Sequence, residues 1–377
     1  MQNIKQIIVF YDYFTPAFKA GGPIQSLQNL VDFLRPASTF AVITGARDKG
    51  EESLLPGVVP DTWNERDSGL RIFYWRRGIS NLPVLLRALR QAGDSIIYIN
   101  GLYSPYFTLL PLLFFKGRII VAPRGMLHGG ALSQKTWKKK LYLSFFRFCR
   151  WHQKVCFHAT DSEEADNIRK VFGVASRVKV APNIPKRLPV LPLLAKEKGQ
   201  LSLVSIALIG PMKNIDLVLQ ALLQVKGRVD YHIYGPVSDI LYWNRCLEII
   251  AGMPDNIRVV YHGALPPDAV GGALAGSHVF ILPSKSENFG HAIFESLSAG
   301  KPVVTSHHTP WKQLEAKVAG WNVATDAGAI TMLLHQLVAM EADEYSRYRE
   351  GASRLAADYI DQARFREQYE DLFYAKS

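Results

Sequence analysis

Cysteine is scarce in this 377-residue sequence, and the three present, Cys149, Cys156 and Cys246, are scattered. So few thiols exclude a disulfide framework, and no C-x-x-C pair offers metal or redox spacing. That usage fits a reducing compartment. Long hydrophobic runs are missing too. None approaches the roughly 18 apolar residues of a membrane helix. The longest candidate, Tyr106–Phe115 (YFTLLPLLFF), is closed by Lys116 and Arg118. The opening MQNIKQIIVFYDYF lacks a small-residue cleavage site and reads as a first buried strand rather than a signal peptide. Internal repeats and low-complexity tracts are absent as well. These absences predict a cytoplasmic protein of ordinary globular composition, 48% hydrophobic and 20% charged.

Acidic residues are short in one half only. Residues 1–188 hold 27 Lys and Arg against 13 Asp and Glu, whereas residues 189–377 hold 17 against 20. The net charge of +11 therefore sits in the first half. A basic half beside a near-neutral one points to an anionic partner: nucleic acid, anionic lipid or a polyphosphate substrate.

What is present is alternation. Short apolar, β-branched runs recur between stretches of helical character. The first half has QIIVFY, FAVIT, RIFYW, SIIYIN, RIIVAP and VCFHAT; the second has LSLVSIAL, VDYHIYG, IRVVYHG, HVFILPS, KPVVTS and GWNVA. Continuous apolar runs suit strands buried on both faces, and intervening helices make them parallel. The pattern predicts an α/β chain of two doubly wound, Rossmann-like domains. Proline crowds residues 182–200. We therefore expect an N-terminal domain over 1–185, a linker over 186–200 and a second domain over 201–355. The stretch 356–377 is expected to be a helix packing back toward the first domain.

In open α/β sheets ligands bind beyond the C-terminal ends of strands, so the loops after each run are the candidates. After the first strand, Gly21 and Gly22 let backbone approach a ligand before a helix begins, although an ordinary turn has the same composition. Arg124 follows RIIVAP by one residue and suits a phosphate, or is a solvated loop arginine. His128 in the same loop is as readily a surface residue. Lys213, with Gly210 leaving room beside it, lies between a strand and an amphipathic helix. That place suits a diphosphate, or simply a surface lysine. Lys135–Lys154 interleaves cations with Trp137, Tyr142, Phe145, Phe146, Phe148 and Trp151. This suits an anionic membrane surface, or a helix packed on its own domain with a solvated basic face.

The most informative stretch is SKSENFGHAIFESLSAGKPVVTS, Ser284 to Ser306. A buried strand turns through a Gly-containing loop into a helix that ends at Gly300. Glu287 lies in the loop and Glu295 about a turn and a half into the helix. Carboxylates accept paired hydroxyl hydrogen bonds of the kind sugar diols offer. The backbone N–H groups of Phe289, Gly290 and His291 suit phosphates. Two carboxylates also suggest a glycosidase pair, but a hydrolase needs no phosphate-ready loop beside them.

Together these residues resemble glycosyltransferase family 4, retaining sugar-nucleotide transferases of the GT-B fold, in which two Rossmann-like domains face each other across a cleft. The E-x7-E element is Glu287 to Glu295. Thr309-Pro310-Trp311 is similar to the TPW of a bacterial surface-polysaccharide branch, as are HIYGPVSDILYW and VVYHGALPPDAV. The likeness is strong over Leu201–Val323 and looser before Lys154. It implies that Glu295 holds the nucleotide ribose, Glu287 the donor hexose, and Lys213 the diphosphate. Asn288, Phe289, Gly290 and His291 would line the donor pocket, and Gly21 and Gly22 would lie against the donor. It implies a lipid-linked or growing glycan acceptor at the basic half, with the enzyme on the cytoplasmic face of the inner membrane.

Two departures stand out. Leu208 occupies the place where the family often has an arginine ahead of the lysine. Arg124 stands where many members have a histidine that assists at the donor sugar. We expect Arg124 to supply the missing cation from the facing domain. The chain contains no D-x-D, so no metal or other cofactor is expected, and cations and helix N-termini would take the leaving charge. Three other readings stay open: a GT-B sugar-nucleotide epimerase or phosphorylase, a degenerate GT-B partner subunit, and nucleic-acid binding, which rests on charge alone and is not expected.

Overall fold

In a computed structural model of the protein, the described residues are 6–66, 69–128 and 136–375. The chain forms two compact units, residues 1–184 with 364–377, and residues 185–363.

The first unit runs β1 (Ile7–Phe10), α1 (Gly22–Leu34), β2 (Phe40–Gly45), β3 (Trp63–Arg66), β4 (Leu70–Trp75), α2 (Leu82–Arg90), β5 (Ile96–Asn100), α3 (Leu110–Phe114) and β6 (Ile119–Ala122). It continues α4 (Thr136–Phe148), α5 (Trp151–Lys154), β7 (Cys156–Ala159), α6 (Ser162–Phe172) and β8 (Val178–Val180). The strand order is β3-β4-β2-β1-β5-β6-β7-β8. Only β3 is antiparallel, pairing Trp63 with Phe73. All six expected strands are there, and their apolar runs are buried on both faces, as in β1 and β5. Two edge strands were not expected: β3 (WNER) is polar and partly exposed, and β8 has three residues.

The second unit runs β9 (Gln200–Ile206), α7 (Ile215–Leu222), β10 (Arg228–Tyr234), α8 (Ile240–Ala251), β11 (Ile257–Tyr261), α9 (Val270–Ala275), β12 (Val279–Leu282), α10 (His291–Ser298), β13 (Val303–Ser306), β14 (Gly320–Val323), α11 (Ala327–Ala339) and α12 (Ala342–Gln362). Its strands are all parallel, in the order β11-β10-β9-β12-β13-β14. Asp239 and Asp326 cap α8 and α11 by accepting backbone N–H bonds from Tyr242 and Ala329. Gly235 lets the end of β10 approach the end of β9: a Cβ there would lie 1.7 Å from the Ala207 carbonyl oxygen.

The segment after Ile184 is strapped to the second unit. Leu188 and Leu191 donate to Ser298 Oγ and the Ala299 carbonyl, and Arg349 donates to the Leu191 carbonyl at 2.6 Å. The C-terminal stretch that reads as one helix is broken at Ala363. After α12, a separate α13 (Phe365–Tyr374) belongs to the first unit. There Phe373 packs on Tyr98 and Tyr369 on His158, while Arg118 donates to the carbonyls of Ala375 and Leu372.

Candidate functional site

In the second sheet the strand order reverses between β9 and β12. On either side of that point the connecting helices lie on opposite faces, which opens a crevice beyond the strand ends. The loops after β9 and β12 line it, and they are stitched together. Lys285 N donates to the Met212 carbonyl at 2.9 Å, and Asn214 Nδ2 donates to the Pro283 carbonyl at 2.8 Å. Asn214 is buried and left-handed, φ 52°, a conformation asparagine tolerates better than most residues.

That stitching sets Lys213 Nζ 2.5 Å from Glu287 Oε1. Ser284 Oγ donates to the same oxygen at 2.7 Å, and Ser306 Oγ donates to the Ser284 carbonyl. Glu287 is therefore held in one orientation by two donors. Gly210 closes the turn that carries Lys213, whose N–H donates to the Gly210 carbonyl at 2.9 Å. Gly290 begins α10 with φ 79°, where a Cβ would meet Ile293 Cδ1 at 2.9 Å.

Glu295 lies within α10 and is 7% exposed. The structure records no hydrogen bond from the described residues to its carboxylate. Burial pushes its pKa up to about 7, against a smaller lowering by Lys186. A buried carboxylate without donors is costly unless something supplies them. Hydroxyl groups of a ligand would do so.

Phe289 contributes an inward-facing ring to this loop. Its ring is buried among Phe294, Trp311 and Tyr359, and its carbonyl accepts from Trp311 Nε1 at 2.6 Å. The TPW tryptophan thus fixes the loop between the two glutamates. His291 opens α10 with its ring 4.9 Å from that of Phe289, and Asn288 lies between Glu287 and this cluster. Sequence reasoning singled out neither Asn214 nor Ser284 as a prop of the site. Their signal was adjacency to Lys213 and to the end of HVFILPS.

In the first sheet the order reverses between β1 and β5. Gly21 lies in the loop after β1 with φ 80° and ψ −149°, and Gly22 is the first residue of α1. Asp48 anchors this loop by accepting from the backbone N–H of Phe18 and Lys19. Asp12 and Arg77 form an ion pair at 2.8 Å on the same side.

Arg124 is not the free loop cation that was expected. It is buried with φ 54°. Its guanidinium donates to Asn100 Oδ1 at 2.7 Å, Asn183 Oδ1 at 2.6 Å and the Tyr98 hydroxyl at 2.7 Å. Tyr98 then donates to His158 Nδ1, and His158 Nε2–H donates to the Ala181 carbonyl. Burial and the Arg124 charge lower the His158 pKa to about 3, so the imidazole is neutral and the chain of donors is consistent. This network locks the β6 loop to β5 and to the end of the unit. Lys213 and Glu287 are in contact, and Glu295, Gly210 and residues 288–291 belong to the same second unit. Gly21, Gly22 and Arg124 belong to the first. His128 is at the surface, paired with Glu163. No group of three or more His, Cys, Asp or Glu among the described residues is placed to hold a metal.

Residues 193–354 match the family model described as glycosyl transferases group 1. A stretch of 104 residues is 29% identical to the sulfoquinovosyl transferase of Arabidopsis thaliana. It covers 27% of this chain and only 19% of that protein. The whole chain superposes on solved structures. Sucrose-phosphate synthase from Thermosynechococcus elongatus gives a TM-score of 0.73 at 16% identity, over 99% of this chain and 100% of that one. Anabaena HepE, solved in complex with UDP and glucose, gives 0.70 at 16% identity, over 98% and 99%. Likeness at such low identity establishes the fold. The expected GT-B fold of two Rossmann-like α/β units with parallel sheets is the observed one.

Proposed function

We propose that this protein is a retaining glycosyltransferase that moves a hexose from a nucleotide sugar to a lipid-linked or growing glycan in bacterial surface-polysaccharide synthesis. The observation that carries this reading is the Lys213–Glu287 pair joining the loops after β9 and β12, together with Glu295 of α10, a buried carboxylate that accepts no hydrogen bond from the described residues. The match of residues 193–354 to a glycosyltransferase family model supports it.

The roles follow from the chemistry of each group. Lys213 is a mobile cation suited to a diphosphate oxygen. Its departure toward phosphate leaves Glu287 free to accept sugar hydroxyls. Glu295 accepts from the ribose diol. Asn288, Gly290, His291 and the N–H of Phe289 line the donor, with Gly210 giving close backbone approach, and Gly21 and Gly22 belong to the loop that meets it. In the transfer, the bond between the anomeric carbon and the phosphate oxygen breaks as the acceptor oxygen bonds to the same face of that carbon. The acceptor proton passes to the leaving phosphate. No protein nucleophile is required, and charge on the leaving diphosphate is stabilised by Lys213 and backbone N–H groups rather than by a metal. Arg124 acts as a positioning residue for the β6 loop. We place the enzyme in the cytoplasm, meeting its acceptor at the inner membrane surface. No helix among the described residues is long and apolar enough to cross a membrane.

The test is a thermal-shift screen against UDP-, GDP-, ADP- and CMP-sugars, with Glu295→Ala alongside. A ligand bound to the folded state raises Tm by mass action. Stabilisation by one nucleotide class, lost in the variant, supports the donor site. No response in any class removes the transferase reading and favours a degenerate partner subunit.

A further inference from the structure

Helix α4 has two apolar faces. Leu143 and Phe146 are buried, and Phe146 packs against Trp151, Phe157 and Phe172. On the other face Trp137, Leu141, Phe145 and Phe148 are 68%, 65%, 48% and 85% exposed. Spacings of four, four and three residues place these side chains on one stripe of a helix with about 3.6 residues per turn. The stripe lies opposite Leu143 and Phe146. On the same helical geometry the exposed Lys138 falls on one flank, and Lys140 and Arg147 on the other. Exposed apolar residues are ordinarily scattered singly. A contiguous stripe marks an interaction surface.

The stripe ends at a depression of about 430 Å³ lined by Ser144, Arg147, Phe148, Arg150, His152 and Gln153. Arg147 and Phe148 belong to both features, so the two are continuous. Arg150 joins α4 to α5 with φ 53°, an uncommon backbone for a non-glycine residue. His152 Nδ1 is buried there without a hydrogen-bond partner among the described residues. Lys138, Lys140, Arg147, Arg150 and Lys154 make no ion pair with the described residues. The sequence explains why: from residue 95 to residue 160 the chain has ten Lys and Arg and no Asp or Glu. Lys135, at the head of this region, lies outside the described residues.

We infer that α4 and the depression at its end are a docking surface for an anionic phospholipid membrane. The stripe enters the boundary between head groups and acyl chains, the flanking cations meet lipid phosphates, and the depression seats one phosphate between Arg147 and Arg150. Single-stranded nucleic acid fits less well. Leu141 stands in the stripe between the rings of Trp137 and Phe145, where stacking on bases calls for an aromatic platform. The inference stands apart from the transferase reading, because it is read without any nucleotide sugar.

The experiment is flotation of the full chain with phosphatidylcholine vesicles, with and without phosphatidylglycerol. Flotation is expected only with phosphatidylglycerol, weakening as salt is raised. Arg147→Gln with Arg150→Gln should weaken the partition roughly thirtyfold, from two cations at the surface. Leu141→Ser with Phe148→Ser should abolish flotation and leave the circular-dichroism melt unchanged. Should that pair misfold, tryptophan quenching by brominated lipid decides instead, since Trp137→Phe should remove most of it. Absence of flotation on anionic vesicles overturns the proposal. So does equal flotation of the Leu141/Phe148 variant, unchanged quenching in Trp137→Phe, or displacement from vesicles by a single-stranded oligonucleotide.

Discussion

Lys213 and Glu287 are separated by 74 residues along the chain and by 2.5 Å in space. Neither side chain is placed by its own loop alone. The pair exists because Asn214 and Lys285 tie the β9 and β12 loops together at the point where the sheet reverses. If the two act as one unit on the donor, their losses are not additive. Lys213→Ala should lower kcat by about a hundredfold to a thousandfold, the scale of removing one preorganised charge partner. Adding Glu287→Ala should then cost little more. Initial rates of nucleotide release in the two single variants and the double variant decide. Losses that multiply would show two independent sites.

Glu295 predicts a pH effect with a definite sign. The unfolded chain releases this proton near pH 4.5, the folded unit only near 7. Between those values the folded state binds more protons, so stability falls as pH rises through the window. Glu295→Gln, which stays neutral, should raise stability at pH 8 by roughly 3 kcal/mol on the conversion of 1.36 kcal/mol per unit. At pH 4 it should make little difference. Denaturant titrations at the two pH values check this, and an equal effect at both would contradict the burial cost.

Gly210 predicts a rescue. A Cβ on residue 210 would lie 2.7 Å from Ser238 Oγ, which donates to the Ile209 carbonyl. Gly210→Ala should therefore destabilise the second unit by about 1 kcal/mol or more through overpacking. Ser238→Ala removes the obstructing oxygen and should return much of that loss in the double variant. Thermal melts of the four proteins measure the coupling.

Arg124 separates support from chemistry. Arg124→Ala removes the guanidinium donor from the Asn100 oxygen, at about 1–3 kcal/mol for a buried group left unsatisfied, and cuts its links to Asn183 and Tyr98. The expected result is faster hydrogen exchange in β5 and β6, with β9 and β12 unchanged. Unaltered exchange with a fallen kcat would return Arg124 to the substrate.

Much of this was legible because buried parallel strands write themselves as apolar runs. All six runs of the second half are strands, and the motif loops follow them. Strand order was not legible. It depends on which runs neighbour β9, and the neighbour β12 begins 73 residues after β9 ends, at Val279, well beyond the start of β10 at Arg228. Side-chain direction was not legible either. PRG reads as a solvated turn, but Arg124 turns inward to acceptors supplied by Tyr98, Asn100 and Asn183. Phe289 sits in a polar-looking loop and is claimed by Trp311 and Tyr359. The break at Ala363 has no glycine or proline to announce it. β3 and β8 are edge strands, too polar or too short to show a pattern.

The first unit is closed by α13, whose Tyr369 and Phe373 pack on His158 and Tyr98 and whose carbonyls take the Arg118 guanidinium. A ribosome makes that helix only after every residue of the second unit. The unit begun first is thus finished last: during translation the nascent chain carries an unclosed sheet while a whole α/β body emerges behind it. Residues 1–184 expressed alone would inherit that unfinished state permanently, with the apolar seat of α13 open to solvent and to chaperones. Residues 185–363 have no such debt to a later segment.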